Sequence, residues 1–181
     1  MKVIDLSIPI ADGMSVYPGD PEVRVKIAHT YESHTWELRH LSMGSHSGTH
    51  VDAPSHMHAG GATLDELPLE RFFGASRIVR VGDSAWPEAR GLFFFESAGL
   101  ECFDRLAILR PPFVGGELTE ELERALLGIN IITYTGLQGL NRLPADTDFI
   151  FYGFPLRIAG GDGSPVRAVA VIEAEEKEEL S

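Results

Sequence analysis

The chain has 181 residues, 44% of them hydrophobic and 23% charged, which suits one globular domain over 1–181 with a sizeable core. A formal net charge of −12 argues against a nucleic-acid partner, and part of it is local, in the acidic tail at 173–181. A single cysteine, Cys102, leaves no internal disulfide framework and suits a reducing compartment as a small buried hydrophobe. The start MKVIDLSIPI is too polar for a signal peptide, and no run approaches the roughly 20 apolar residues of a membrane span. A cytoplasmic protein without membrane contact is expected.

Strand signals dominate the chain. VIDLSI (3–8), EVRVKIAH (22–29) and TWELRHLSM (35–43) alternate or carry β-branched residues, with a turn at PGDP (18–21). SRIVRVG (76–82) continues the series. PEARGLFFFESAG (87–99) is expected as a short helix, interrupted by Gly91 and three phenylalanines, and RLAILR (105–110) as a strand. TEELERALL (119–127) is the clearest helix: Thr119 caps it, Glu120 and Glu121 sit in its first turn, and Leu118, Leu122 and Leu126 share a face. INIITYT (129–135), DFIFYGF (148–154) and VRAVAVIE (166–173) are further strands, the last two separated by the turn GGDGSP (160–165). The fold class is α/β, richer in strand than in helix.

Residues 46–58, HSGTHVDAPSHMH, concentrate four of the seven histidines with one aspartate. The polar candidates are His46, His50, Asp52, His56 and His58. A straight strand puts all five on one face but leaves residues four apart roughly 13 Å from each other, at about 3.3 Å per residue. A helix would bring His46 and His50 together, but Gly48 and Pro54 oppose a continuous one. What remains is a bent loop or strand edge, with Gly48 as its hinge. Such a loop can hold two imidazoles and one carboxylate about 2.0–2.2 Å from a common ion, the ligand set of catalytic Zn, Mn or non-haem Fe sites. His29, His34 and His40 come from strand-like segments and are expected to be structural or exposed.

HSGTHVDAPSH matches the HxGTHxDxPxH signature of the cyclase family, whose best-known members are the bacterial kynurenine formamidases (arylformamidases). DLSIPIADGMSVYPGDP (5–21) resembles that family's opening strand and aromatic-Pro-Gly-Asp turn. FPLRIAGGDGSPVRAVAV (154–171) resembles its PL…DxSPVRAV ending, and GLQGL (136–140) sits at its Glu-Gly-Leu segment. The resemblance implies a swivelling β/β/α fold, usually dimeric or larger, here a homodimer or homotetramer. It implies a metal-dependent hydrolase acting on N-formylkynurenine or small cyclic amides. By position, His46, His50 and Asp52 resemble the ligands of a first ion, His56 the general acid/base, and Tyr17 an aromatic that contacts substrate.

The departures are as specific. Thr135 stands where the formamidases place a glutamate that ligates both metals, and Glu123 where they place a second-site histidine. One ion, Zn or Mn, is therefore expected rather than two, with Glu123 and Thr135 the remaining candidates for a second site. On a helix, Glu123 shares a face with Glu120 and Leu127 and is expected to be solvated, and Arg124 to pair with Glu120. Thr135 is expected to pack or hydrogen-bond. Asp162 and Arg167 are expected either beside the site or at an interface, or as a buried pair of their own. The expected function is hydrolysis of a small N-formyl, aryl or cyclic amide. The competing readings are a ligand-binding relative without turnover and a lyase or dehydratase on the same site.

Overall fold

In the computed structural model, residues 1–172 are described; the acidic tail at 173–181 lies outside them. In chain order the strands are β1 (Lys2–Asp5), β2 (Arg24–His29), β3 (Leu38–Ser42), β4 (His50–Asp52), β5 (Phe73–Val79), β6 (Gly91–Ala98), β7 (Phe113–Leu118), β8 (Ile132–Thr135), β9 (Phe149–Tyr152), β10 (Gly163–Pro165) and β11 (Val169–Ile172). The helices are α1 (Tyr31–His34), α2 (Pro54–Met57), α3 (Phe103–Leu109) and α4 (Glu120–Gly128). Nine strands form one mixed sheet in the order β1-β11-β9-β5-β6-β7-β8-β4-β10. Its centre, β5 to β8, is parallel, and the crossovers through α3 and α4 make two βαβ units. The strands on either side of that centre are antiparallel. The expected strand-rich α/β fold is borne out.

Parallel strands covered on both faces must be apolar on both faces. That explains two of the three phenylalanines: Leu92 and Phe94 join α3 and α4 in one core, while Phe93 points to the other, with Phe113, Tyr134 and Phe151, and Phe95 is exposed. The helix expected at 87–99 is therefore a strand over Gly91–Ala98. Gly91 belongs there because a Cβ would lie 1.9 Å from the Phe113 ring. The strand expected at RLAILR is helix α3 instead. Only Leu106 is fully buried in it while Ile108 is 84% exposed, a one-sided stripe; Arg110 at φ 47 ends it before two prolines.

The helix expected at 119–127 is present as α4. The Thr119 hydroxyl accepts the Leu122 N–H at 3.3 Å, and Leu122, Leu126 and Leu127 are buried. β2 and β3 form a separate two-stranded hairpin, with α1 at its tip and no fully buried residue in either strand. No helix among the described residues is long and apolar enough to cross a membrane.

Candidate metal centre

Alternation along the short strand β4 sends Val51 into the core and His50 and Asp52 to the opposite face. β4 pairs with β8 so that His50 faces Thr135 and Asp52 faces Thr133. Cross-strand neighbours on one face are within hydrogen-bond reach, and both pairs use it. The Thr133 hydroxyl donates to Asp52 Oδ2 at 3.0 Å, and the Thr135 hydroxyl lies 2.8 Å from His50 Nε2. Thr135 thus hydrogen-bonds, as expected.

His46 returns to this strand through the turn at Gly48, whose φ of +65° is the left-handed conformation a hinge there needs. A Cβ on Gly48 would also meet Ile10 Cδ1 at 2.9 Å. On the other side, Pro54 opens the single-turn helix α2, which carries His56 back over His46, with ring centroids 3.8 Å apart. So the strand, the turn and the helix each contribute a different part of the cluster. The chain gathers His46, His50, Asp52 and His56; His58 turns away, its Nε2 2.7 Å from the Arg124 carbonyl.

Three donor atoms converge. His46 Nδ1 lies 2.7 Å from Asp52 Oδ1, and His50 Nε2 lies 3.4 Å from the same oxygen. The donor atoms of His46, His50 and Asp52 all fall within 4.8 Å of one another. Neighbouring ligands of a tetrahedral ion with bonds of about 2.0–2.2 Å stand roughly 3.4 Å apart, so the donor set and its spacing fit a divalent cation. The other polar atom of each of these side chains is tied to protein: His50 Nδ1 to the Gly48 carbonyl at 2.7 Å, Asp52 Oδ2 to Thr133, and His46 Nε2 to Asp162 Oδ2 at 2.9 Å.

Asp162 takes the first of the places expected for it, beside the cluster. Its expected alternative, a pair with Arg167, does not form: Arg167 makes a two-pronged contact with Asp5 at the surface. Asp162 instead bridges His46, Ser45 and, at 3.6 Å, His56 Nδ1. The available signal was its place in AGGDGSP, where small residues let strands approach closely: a Cβ on Gly163 would lie 2.3 Å from His46 Cε1.

Glu123 is also moved relative to expectation. It is half-buried rather than solvated, on a helix that packs against α2 and β8, while Arg124 and Glu120 form the expected surface pair at 3.0 Å. Burial, reinforced by the charges of Asp52 and Glu120, pushes its carboxyl up to about 8. For His46, burial lowers the pKa, but hydrogen bonds to Asp52 and Asp162 outweigh it and raise the imidazole to about 9. His56 is held below its ordinary value by burial and then by the neighbouring His46 charge. Asp162 is lowered because its hydrogen bonds to His46 and Ser45 outweigh burial. The surroundings hold negative charge in excess, the setting a bound cation offsets. Tyr17 is two-thirds exposed in a turn closed by the Asp20 N–H and, among the described residues, makes no hydrogen bond or ring contact with the cluster.

Residues 4–101 match the model of the Cyclase family, described as "Putative cyclase", and the chain belongs to that family. It is 31% identical to the kynurenine formamidase of Salinibacter ruber, over 93% of this chain and 97% of that protein. It is 29% identical to the kynurenine formamidase of Paracidovorax citrulli, over 91% and 94% of the two chains. Among solved structures, a potential metal-dependent hydrolase with cyclase activity is 26% identical, with a TM-score of 0.74 over 96% of this chain and 99% of that one. Isatin hydrolase A from Labrenzia aggregata, bound to benzyl benzoate, shares the fold at a TM-score of 0.79 and 20% identity, over 95% and 94%.

Proposed function

We propose that the chain is a metal-dependent amidohydrolase that cleaves the C–N bond of a small N-formyl, aryl or cyclic amide. Conversion of N-formylkynurenine to kynurenine and formate is the reference reaction, after its kynurenine formamidase relatives. The observation that carries this reading is the convergence of His46 Nδ1, His50 Nε2 and Asp52 Oδ1, with the His56 ring 3.8 Å from that of His46. One ion, zinc or manganese, is held by these three residues. When bound, it supplies a water of lowered pKa and polarises the amide carbonyl.

The protein's own residues handle the protons. His56 is neutral near pH 7 because its pKa lies below the ordinary value, so it accepts a proton from the attacking water. It then donates that proton to the departing nitrogen. Asp162 near Nδ1 leaves Nε2 as the basic atom. At the two positions that depart from the formamidases, the Thr135 hydroxyl engages His50 and Glu123 adds a single carboxylate, which supports one ion rather than two. The test is turnover of a panel of formanilides and small cyclic amides by protein stripped with chelator and then reloaded. Turnover restored by zinc or manganese is expected; a loaded protein inert on the whole panel would leave a binding protein.

The same reading includes a homodimer or homotetramer in the cytoplasm, with a small molecule as substrate. The β2–β3 hairpin supports the assembly. Its Val25, Ile27 and Leu41 share one face, Ile27 and Leu41 are about half exposed, and a lone two-stranded hairpin is marginal in water.

A further inference from the structure

Resting on the metal-centre reading above, we propose that Asp162 is a positioning residue. Its carboxylate clamps His46 so that Nδ1 faces the ion, and it couples that ligand to the acid/base His56.

Of the three ligands, His46 has the weakest local support. His50 and Asp52 lie on β4 and are tied to the adjacent turn or to β8, whereas His46 lies in the turn before β4. Carboxylates stand at both of its nitrogens, Asp52 Oδ1 at 2.7 Å from Nδ1 and Asp162 Oδ2 at 2.9 Å from Nε2. An imidazole that offers a lone pair at Nδ1 carries its proton at Nε2, and that N–H donates to Asp162. A carboxylate on the far nitrogen fixes tautomer and ring angle and makes the ligand more basic.

Asp162 is itself held from several directions. The Ser45 hydroxyl donates to Oδ1 at 3.0 Å. The Asp162 carbonyl accepts the Ala53 N–H at 2.8 Å, and the next residue, Gly163, pairs in register with Asp52. The carboxylate therefore moves with the strand that bears the ligands. The same Oδ2 lies 3.6 Å from His56 Nδ1, so one oxygen faces both imidazoles. A rival arrangement uses the same side chains, with His46, His56 and Asp162 as ligands of an ion on the other side of the ring. The two differ in which nitrogen of His46 meets the metal.

The experiment loads the full chain with zinc and records long-range 1H–15N correlations of the histidines. Zinc affinity is then measured by chelator competition for the parent, Asp162→Asn and Asp162→Ala. His46 is expected to be protonated at Nε2 and ligated at Nδ1. Asp162→Ala should keep one zinc per chain and weaken it roughly 10–100-fold. Asp162→Asn, which still offers an oxygen to Nε2–H, should recover most of that loss. If Asp162→Ala fails to fold, Ser45→Ala removes the hydroxyl that holds Oδ1 and should weaken zinc by about 2–10-fold. Zinc on Nε2, an Ala variant as tight as the parent, an Asn variant no better than Ala, or an unchanged Ser45→Ala would each overturn the proposal. A parent that takes up no zinc would instead sink the metal-centre reading itself.

Discussion

The hairpin arm and the histidine cluster are neighbours in sequence, with β3 ending at Ser42 and the cluster beginning at His46, yet they use histidine in opposite ways. In the arm, His29 stacks on His34 at 4.0 Å and its Nδ1 accepts the Trp36 indole N–H, all near solvent. In the cluster, His46 lies between two carboxylates and His50 between a carbonyl and a hydroxyl. The arm's strands pair only with each other; β4 is paired on both edges, by β8 and β10. Both ring nitrogens of His46 and of His50 are directed by the fold, whereas the arm's histidines lie near solvent.

The largest effects should come from the cluster. His50→Ala should weaken divalent-ion binding by more than the roughly 100-fold that marks the loss of an outer partner. His40→Ala in the arm should leave it unchanged. His56→Ala should keep the ion and lower turnover of the active amide about 10²–10⁴-fold. Chelator competition and steady-state kinetics check the set. Equal metal loss in His50→Ala and His40→Ala would erase the contrast, and metal loss in His56→Ala would make it a ligand.

Next in size is the core that holds β4 in place. Phe151 is fully buried against Phe93, Phe113 and Tyr134 at ring distances of 4.7–5.3 Å. Phe151→Ala should cost about 3–5 kcal/mol in denaturant unfolding. A cost below 1 kcal/mol would mean that this side of the sheet is not close-packed.

The pH dependence has a definite sign in chelator-stripped protein. His46 is raised to about 9 from an ordinary 6.5, so its contribution to stability is full below pH 6.5 and lost as pH rises through 9. Glu123 is raised to about 8 from 4.5, so the fold favours its protonated form and loses that preference as pH rises through 8. His56 is lowered and acts against them only below its ordinary value. Stability should therefore fall between pH 6.5 and 9, with at most about 3 kcal/mol from His46. Zinc-loaded protein should diverge upward, because protons compete with the ion for Nδ1. Denaturation midpoints at pH 6.5, 8 and 9.5 measure both; a flat or rising stripped curve would contradict the assigned neighbours of His46.

Much of the site was legible because its candidate residues are local: Gly48 and Pro54 bend thirteen residues into a cluster whose imidazole and carboxylate donors suit a divalent ion. Asp162 was legible only as one alternative among three, because a residue more than a hundred positions away arrives through the β10–β4 pairing. Glu123 misled for a related reason. A glutamate on an amphipathic helix is usually solvated, and only the packing of α4 on α2 and β8 turns this one inward. In the fold, α4 and most outer strands were legible from period and caps. β7 was hidden by its glycines, which suggest a turn. They are there because a Cβ on Gly115 would lie 2.6 Å from Phe93, and one on Gly116 1.8 Å from the Phe94 carbonyl. Short apolar runs carry too few residues to separate a period of 2 from one of 3.6, which is why α3 and β6 exchanged identities.

The smallest effect on folding should come from the arm, and it sharpens the contrast most. Cross-strand register puts Val25 beside Leu41 and Ile27 beside Arg39, so one face carries Val25, Ile27 and Leu41 with Arg39 at its edge, while the other carries Arg24, Lys26 and His40. Ile27 and Leu41 remain 54% and 51% exposed, so replacing both by serine removes little burial within the chain. Each replacement should change the chain's own unfolding free energy by no more than about 0.5 kcal/mol. Association is different, because a second copy would cover that face and the serines would present polar groups to it. Sedimentation at micromolar concentration should show the parent as a dimer or tetramer and Ile27→Ser/Leu41→Ser as a 19.8 kDa monomer. Unfolding must be compared across protein concentrations, since assembly stabilises the parent by mass action. A variant that sediments like the parent would show that this face is not the contact. A variant monomer several kcal/mol less stable than the parent extrapolated to infinite dilution would show that the arm packs within its own chain.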